Sequence, residues 1–390
     1  MMTVTVLMVL VFSAVFTAPA FADDSTPPPV DTPTEVSPPP ADEPAVADAP
    51  AVVDAPPAEV AAPAVEPVQS NATVAELLAQ VPEGTDLIVT DSNGEALPLA
   101  STEAADAIEF VDPVWCPTGV TPNAGIGGCS GSFANLALLV TGFVPSGNGT
   151  IWIQSGVDGS VAGTPIIIDG AGTWAAAKDF SLALTGGWSG AMGSGAIDPA
   201  APSIFDQRLS IINWNAAVSL SDIEVIGAQS NSAQPDSALL IETTGNIQLN
   251  RVTVKNGLNA GAGEMTGATL DNQTSPASSS VSVNNGIFEN NEGDGLRIFS
   301  AGVVTITSLF ANGNDQGGAI IDNSSAAADL AVTLQGSQEY NNNGGGPGLW
   351  VTSNGFVTIS NVIANANAGN GVDIDNSASF TAQGVTVSGT

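Results

Sequence analysis

Six side chains carry most of the chemistry available to this sequence: Arg297, Trp350, Asp271, Asp322, Asp373 and Asp375. A base set among carboxylates would suit elimination on an acidic glycan, with calcium held by the acids and the base removing the proton next to a uronate carboxylate. An exposed indole would offer a platform for a sugar ring, or would simply continue an apolar surface column. Spacing argues against an assembled site. Asp271 and Asp322 recur on alternate repeats, which separates them by about 10 Å at the spacing of paired strands, whereas one calcium needs oxygens at about 2.4 Å. Asp373 and Asp375 share a strand face but supply only two carboxylates. No cofactor is expected, and calcium has only this incomplete pair. Arg297 has Asp271 and Asp322 as diagonal neighbours, so a surface ion pair is its plainer role.

Those residues sit within a repeated phrase, Gly-apolar-x-apolar, that opens at Gly267, Gly295, Gly318, Gly348 and Gly371. Strand-like alternation at a period of 23 to 30 residues, with no helix-length apolar stripe, is the pattern of a solenoid whose turns share one core. Comparable phrases begin near Gly149, Asp179, Arg208 and Ala238, giving about nine turns. A second strand follows in each, as in Val218-x-Leu220 and Val304-x-Ile306, then a third that closes on Val254, Phe288, Phe310, Tyr340 or Ile363. Asn256, Asn290, Asn312, Asn342 and Asn365 stand two residues beyond. Amides stacked at a bend can bond to one another in a line, so this column is expected to be structural. The turns opening at Gly267, Gly318 and Gly371 continue to Asp-Asn, while those between them continue through a different sequence. This suggests a repeating unit of two turns.

Composition removes whole classes of function. The 390 residues hold 39 acidic and 5 basic side chains, for a formal charge of −34, and no histidine. Such a surface repels phosphate backbones, so nucleic acid is not expected as a partner. Histidine-dependent triads and His-ligated metals are excluded. All five bases lie beyond residue 112.

Residues 1–22 read as a secretory signal: an apolar run, then Ala20-Phe21-Ala22 before Asp23. No later stretch is long and apolar enough to span a membrane. Residues 23–70 are Pro, Ala, Val and acid, a disordered linker that serves as a stalk or an inert spacer. Residues 71–112 form a small accessory or cap segment, with strands flanking the turn at Asp91-Ser-Asn-Gly94. Residues 113–148 hold the cysteine loop and a helix from Ser132 to Val140 that would cover the first turn. Cys116 and Cys129 read as a disulfide in an exported chain, since zinc would want further ligands that are missing; two separate buried thiols are the alternative. Residues 149–390 are the solenoid. The sequence stops inside a turn at Thr390, which suggests a fragment of a longer product.

From about residue 132 onward the chain resembles the right-handed parallel β-helix, or pectin-lyase-like, superfamily, in its exported bacterial form. The helix Ser132–Val140, the opening strand Gly149-Thr-Ile-Trp-Ile153, the Gly-x-x-Ile turns and the asparagine column carry the resemblance. It implies an all-β solenoid and places substrate, in the lyases and hydrolases, on the outward face of the first strand. The Asn-Thr-Asp and Gly-His-Gly motifs of the hydrolases are absent. The expected function is a secreted or cell-surface, non-catalytic structural or adhesive module, with an extracellular polysaccharide or another surface protein as partner. The alternative is a polysaccharide lyase or glycan binder using Arg297, Trp350, Asp373 and Asp375.

Overall fold

The computed structural model describes residues 112–388, apart from Ala162, 275–278, 327–328 and 378–383, together with the antiparallel pair Val89–Thr90 and Ala96–Leu97. The stretches expected to be signal and linker, and nearly all of the expected accessory segment, lie outside the described residues. The strand pair Val89–Thr90 and Ala96–Leu97 brackets the expected turn at Asp91–Gly94.

Two stacks of parallel strands build the solenoid. One is an eight-stranded sheet whose members begin at Ile166, Leu209, Asp236, Met265, Leu296, Ala319, Leu349 and Val372. The other contains nine parallel strands, most of them longer, from Gly149–Gln154 through Val218–Ile226 to Val385–Ser388. Pairing is in register over most of its length, so Val218, Ile247, Val281, Val304, Val332 and Val357 stand in one inward column. These residues are buried. β-branched side chains suit both the pleat and the stacking against their own kind. The phrases at Gly149 and Asp179 belong to this long-strand sheet, because Gly149 pairs with Leu182, and not to the first-strand sheet as the repeat suggested.

A long strand would normally alternate in and out along its whole length. Here one left-handed residue breaks it into two arms. Asp222 (φ 57°), Arg251, Asn285, Ser308, Gly336 and Asn361 occupy that position in successive turns. Val218 and Leu220 point inward before the bend, and Ile223 and Val225 point inward after it. A second left-handed column follows at Gly227, Asn256, Asn290, Gly313, Asn342 and Ala366. Asn and Gly tolerate this conformation best, which accounts for most of the column.

The predicted asparagine column therefore splits. Asn256, Asn290 and Asn342 are bend residues, whereas Asn312 and Asn365 fall one position earlier. There they flank Asn341: its N–H donates to Asn312 Oδ1 (2.7 Å), and the Asn365 N–H donates to Asn341 Oδ1 (2.8 Å). The continuous amide ladder lies one residue past the bend, at Asn291, Asn314, Asn343 and Asn367. Each Nδ2 donates to the Oδ1 of the next turn at 2.8–3.1 Å, and backbone carbonyls such as Phe288 O and Tyr340 O accept second bonds. Several turns carry asparagine on both sides of the bend, as in Asn312-Gly313-Asn314, so counting from the preceding apolar residue selects the wrong one.

At the N-terminal end, Val114–Pro117 pairs antiparallel with Gly149–Gln154 and covers the strand edge. The helix α1 runs Leu136–Gly142, four residues later than expected, because Asn135 is its cap and accepts from Leu138 N. Leu136, Leu139 and Val140 are buried against the core. The Cys116–Cys129 disulfide closes the preceding loop and packs with Val114 and Trp188. Asp158, nearly buried, accepts from Leu136 N at the helix start and from Gln207 Nε2.

Two predictions follow from these contacts. Asn314→Ala removes the side-chain bonds to Asn343 and Phe288 and leaves the buried Asn291 N–H without its acceptor; unfolding free energy should fall by about 2–4 kcal/mol in a thermal or denaturant melt. Burial, foremost, pushes the Asp112 carboxyl up to about 7, against the bond from Gln154 N and with help from the charge on Asp158. A carboxyl whose folded pKa is raised carries no penalty below its ordinary value of 3.8 and an increasing one as pH rises from there to about 7. Asp112→Asn should therefore raise stability at pH 8, by about 2 kcal/mol, and change it little at pH 4.

Candidate binding face and cleft

The eight-stranded sheet turns one side outward, and its register fixes what stands there. Leu240, Thr269, Arg297, Ile320, Trp350 and Asp373 form one column. Glu242, Asp271, Phe299, Asp322, Thr352 and Asp375 form the next. The alternation leaves Asp271, Asp322 and Asp375 on every second turn, and among the described residues no group of three or more acidic, cysteine or histidine side chains is placed to hold a metal ion.

These three carboxylates have a local task. Each Oδ1 accepts from the backbone two residues on: Gln273, Ser324 and Ser377, all at 2.9 Å. They open the long bends that alternate with short ones. The neighbouring buried position alternates too, running Thr243, Asn272, Ser300, Asn323, Ser353. In the short bends the hydroxyl accepts from the glycine two residues later, as Ser300 does from Gly302 (3.0 Å). In the long bends Asn272 and Asn323 reach back to the carbonyls of Gly245 and Gly302 in the bend before. A two-turn unit thus has a physical cause: each long bend closes over a short one. The exposed Asp375 carboxyl is held below its usual range by its bonds to Ser377.

Arg297 is not paired with Asp271 or Asp322. Its Nε donates to Asp294 (2.5 Å), and Glu264 lies 3.9 Å from Nη2. Asp294 is nearly buried and also accepts from Gly317 N, so the pair ties one turn to the next. The diagonal estimate failed because Asp294, three residues upstream, folds back alongside the strand. Trp350 is 44% exposed between Ile320 and Asp373, and Asp373 accepts from Asn370 Nδ2 at 3.4 Å.

A cleft opens farther up the same face. It encloses about 530 Å³ between Lys178, Asn213, Asn215, Glu242 and Asp271. Gly170 in its wall leaves no room for a side chain, since a Cβ would come within 2.2 Å of Asn213 O. Partial burial, then the negative charge of Asp271 in the next turn, raises the Glu242 carboxyl above its usual value. Arg208, Arg251, Lys255 and Arg297 all have carboxylate partners, and Lys178 forms no ion pair among the described residues. The cleft therefore sets an unpaired ammonium against two carboxylates. Sequence reasoning placed Glu242 and Asp271 outward but missed Lys178, which lies in an irregular turn outside the repeated phrase. The scarcity of bases was the one available signal.

Among the described residues no helix is long and apolar enough to cross a membrane. No curated protein and no solved structure matches the chain. Residues 237–390 match the family described as a right handed beta helix region. The parallel pairing, the in-register columns and this match agree on one fold, a right-handed parallel β-helix, and the strands before residue 237 continue the same stack.

Proposed function

We propose that this chain is an exported, non-catalytic β-helix that serves as a structural or adhesive module at a cell surface or in the extracellular matrix. The observation that carries the reading is the position of Arg297. The one base on the lower part of the outward sheet is fixed by Asp294 and Glu264, and its partner is itself bonded to the next turn. A guanidinium so held cross-links turns and is not free to take a proton from a substrate. The carboxylates beside it are occupied as bend caps. An extracellular polysaccharide or another surface protein is the partner this reading implies.

A second reading has its own support. In the upper cleft Glu242, with its raised pKa, faces Asp271 and the unpaired Lys178. A carboxyl that burial and a neighbouring charge hold more readily protonated, beside a second carboxylate on the next turn, supplies the elements of general acid–base chemistry on a glycan.

Incubation with acidic and neutral glycans, with and without calcium, separates the two. No cleavage products are expected, and Arg297→Ala should act on stability alone, lowering it by about 1–3 kcal/mol by leaving Asp294 without its charge partner. Calcium-dependent cleavage abolished by Arg297→Ala would overturn the structural reading. Cleavage abolished by Glu242→Gln, with Arg297→Ala still active, would favour the cleft.

A further inference from the structure

The first arm of the long-strand sheet also faces outward, and it differs in charge from the second arm and from the eight-stranded sheet. Its central column is Ser219, Gln248, Ser282, Thr305, Thr333 and Thr358, in register from turn to turn. Two residues on, nearer the bend, stand Ser221, Asn250, Asn284, Thr307 and Gln335. Two residues before the central column stand Asn246, Ser280, Val303, Ala331 and Phe356. Not one of these positions is charged, in a chain of formal charge −34. The second arm carries Glu224, Lys255, Glu289 and Glu339, and the eight-stranded sheet carries Glu242, Asp271, Arg297, Asp322, Asp373 and Asp375. At the bend that borders the neutral face, Asp222 and Arg251 cancel one another through two bonds of 2.6 and 2.8 Å.

The face is also chemically open. In its central column the hydroxyls of Ser219, Ser282, Thr305, Thr333 and Thr358 have no hydrogen-bond partner within the described residues, whereas Asn284 bonds Asn250 and Gln335 bonds Thr307 in the column beside it. Phe356 is 55% exposed and Val303 is 36% exposed at the margin. Donors and acceptors thus repeat about every 4.8 Å across strands and about every 6.6 Å along them, beside one exposed ring.

We propose that this face adsorbs an ordered, uncharged polysaccharide surface, with Phe356 stacking on a sugar ring and the Ser/Thr columns bonding its hydroxyls. A partner bonded by many neutral hydroxyls in two dimensions must itself present repeated neutral hydroxyls. An acidic glycan would gain nothing from a face without cations and would be repelled by the rest of the chain. A second copy would bring two strongly acidic bodies together. The proposal rests on the adhesive reading above and names its contact surface, which is separate from both Arg297 and the Lys178 cleft.

The test is depletion of the full chain from solution by microcrystalline cellulose, with a polygalacturonate gel as the acidic control. Cellulose should deplete the protein and polygalacturonate should not. The double variant Thr305→Glu, Thr333→Glu should bind cellulose at least tenfold more weakly, and Phe356→Ala severalfold more weakly. Lys178→Ala and Trp350→Ala should bind as the parent does. If the double variant loses its β-sheet circular dichroism, Phe356→Ala decides alone, because an exposed ring is removed without cost to the core. Failure of cellulose to deplete the parent, or undiminished adsorption of folded face variants, overturns the proposal. So does concentration-dependent self-association that the face variants abolish, which would give the surface to a second copy. Failure to adsorb, with no glycan cleaved, would sink this face and leave the non-catalytic reading standing; cleavage products would do the reverse.

Discussion

Parallel pairing of one turn on the next, in register and about 4.8 Å apart, obliges every residue to lie against its counterpart in the turns above and below. For apolar side chains this is favourable without further arrangement, and the inward valine and isoleucine columns follow. For amides it is favourable only when the bend holds them at the right angle. The left-handed residues at Asn290, Gly313 and Asn342 supply that angle, and the adjoining Asn291, Asn314 and Asn343 then share donors and acceptors through the interior. The ladder satisfies polar groups that burial would otherwise leave costly. Register, bend and amide line are therefore one constraint expressed three ways.

For charges the same geometry is unfavourable, since like charges would also stack. The chain meets this in two ways. Four of its five bases sit opposite an acid of the same or a neighbouring turn, as Arg251 does with Asp222 and Lys255 with Glu289. Below the cleft, where Glu242 stands directly against Asp271, outward acids are thinned by alternation, so that Asp271 and Asp322 are separated by Phe299 in their column. The alternation itself comes from bends of two lengths, the longer one closing over the shorter.

The repeat period, the strand alternation and the outward columns were readable from the sequence because they are one-dimensional: a residue's column depends only on its place in the phrase. Trp350 and Asp373 fall where that place puts them. What depended on the path of an irregular segment was not readable. Asp294 lies outside the strand yet binds Arg297, and Lys178 reaches the cleft from a turn that has no counterpart in the repeat. The asparagine column fell between these cases. Its purpose follows from composition, but its register hinges on which of two nearby asparagines adopts φ > 0, and Gly313 or Ala366 in the bend removes the marker.

The distribution of charge gives the solenoid three unlike sides. A stack of in-register turns could carry its acids anywhere outward at similar electrostatic cost, provided that they are spaced or paired. Instead they crowd onto the eight-stranded sheet and the second arm, and the first arm holds small hydroxyl and amide side chains across successive turns. Core packing does not require this, because the inward valines and leucines of both arms are equally well buried. Bend geometry does not require it either, since Asp222 and Arg251 show that charged residues fit the adjoining left-handed position. Backbone and core leave those outward positions unconstrained, so their neutrality is a property of the surface alone.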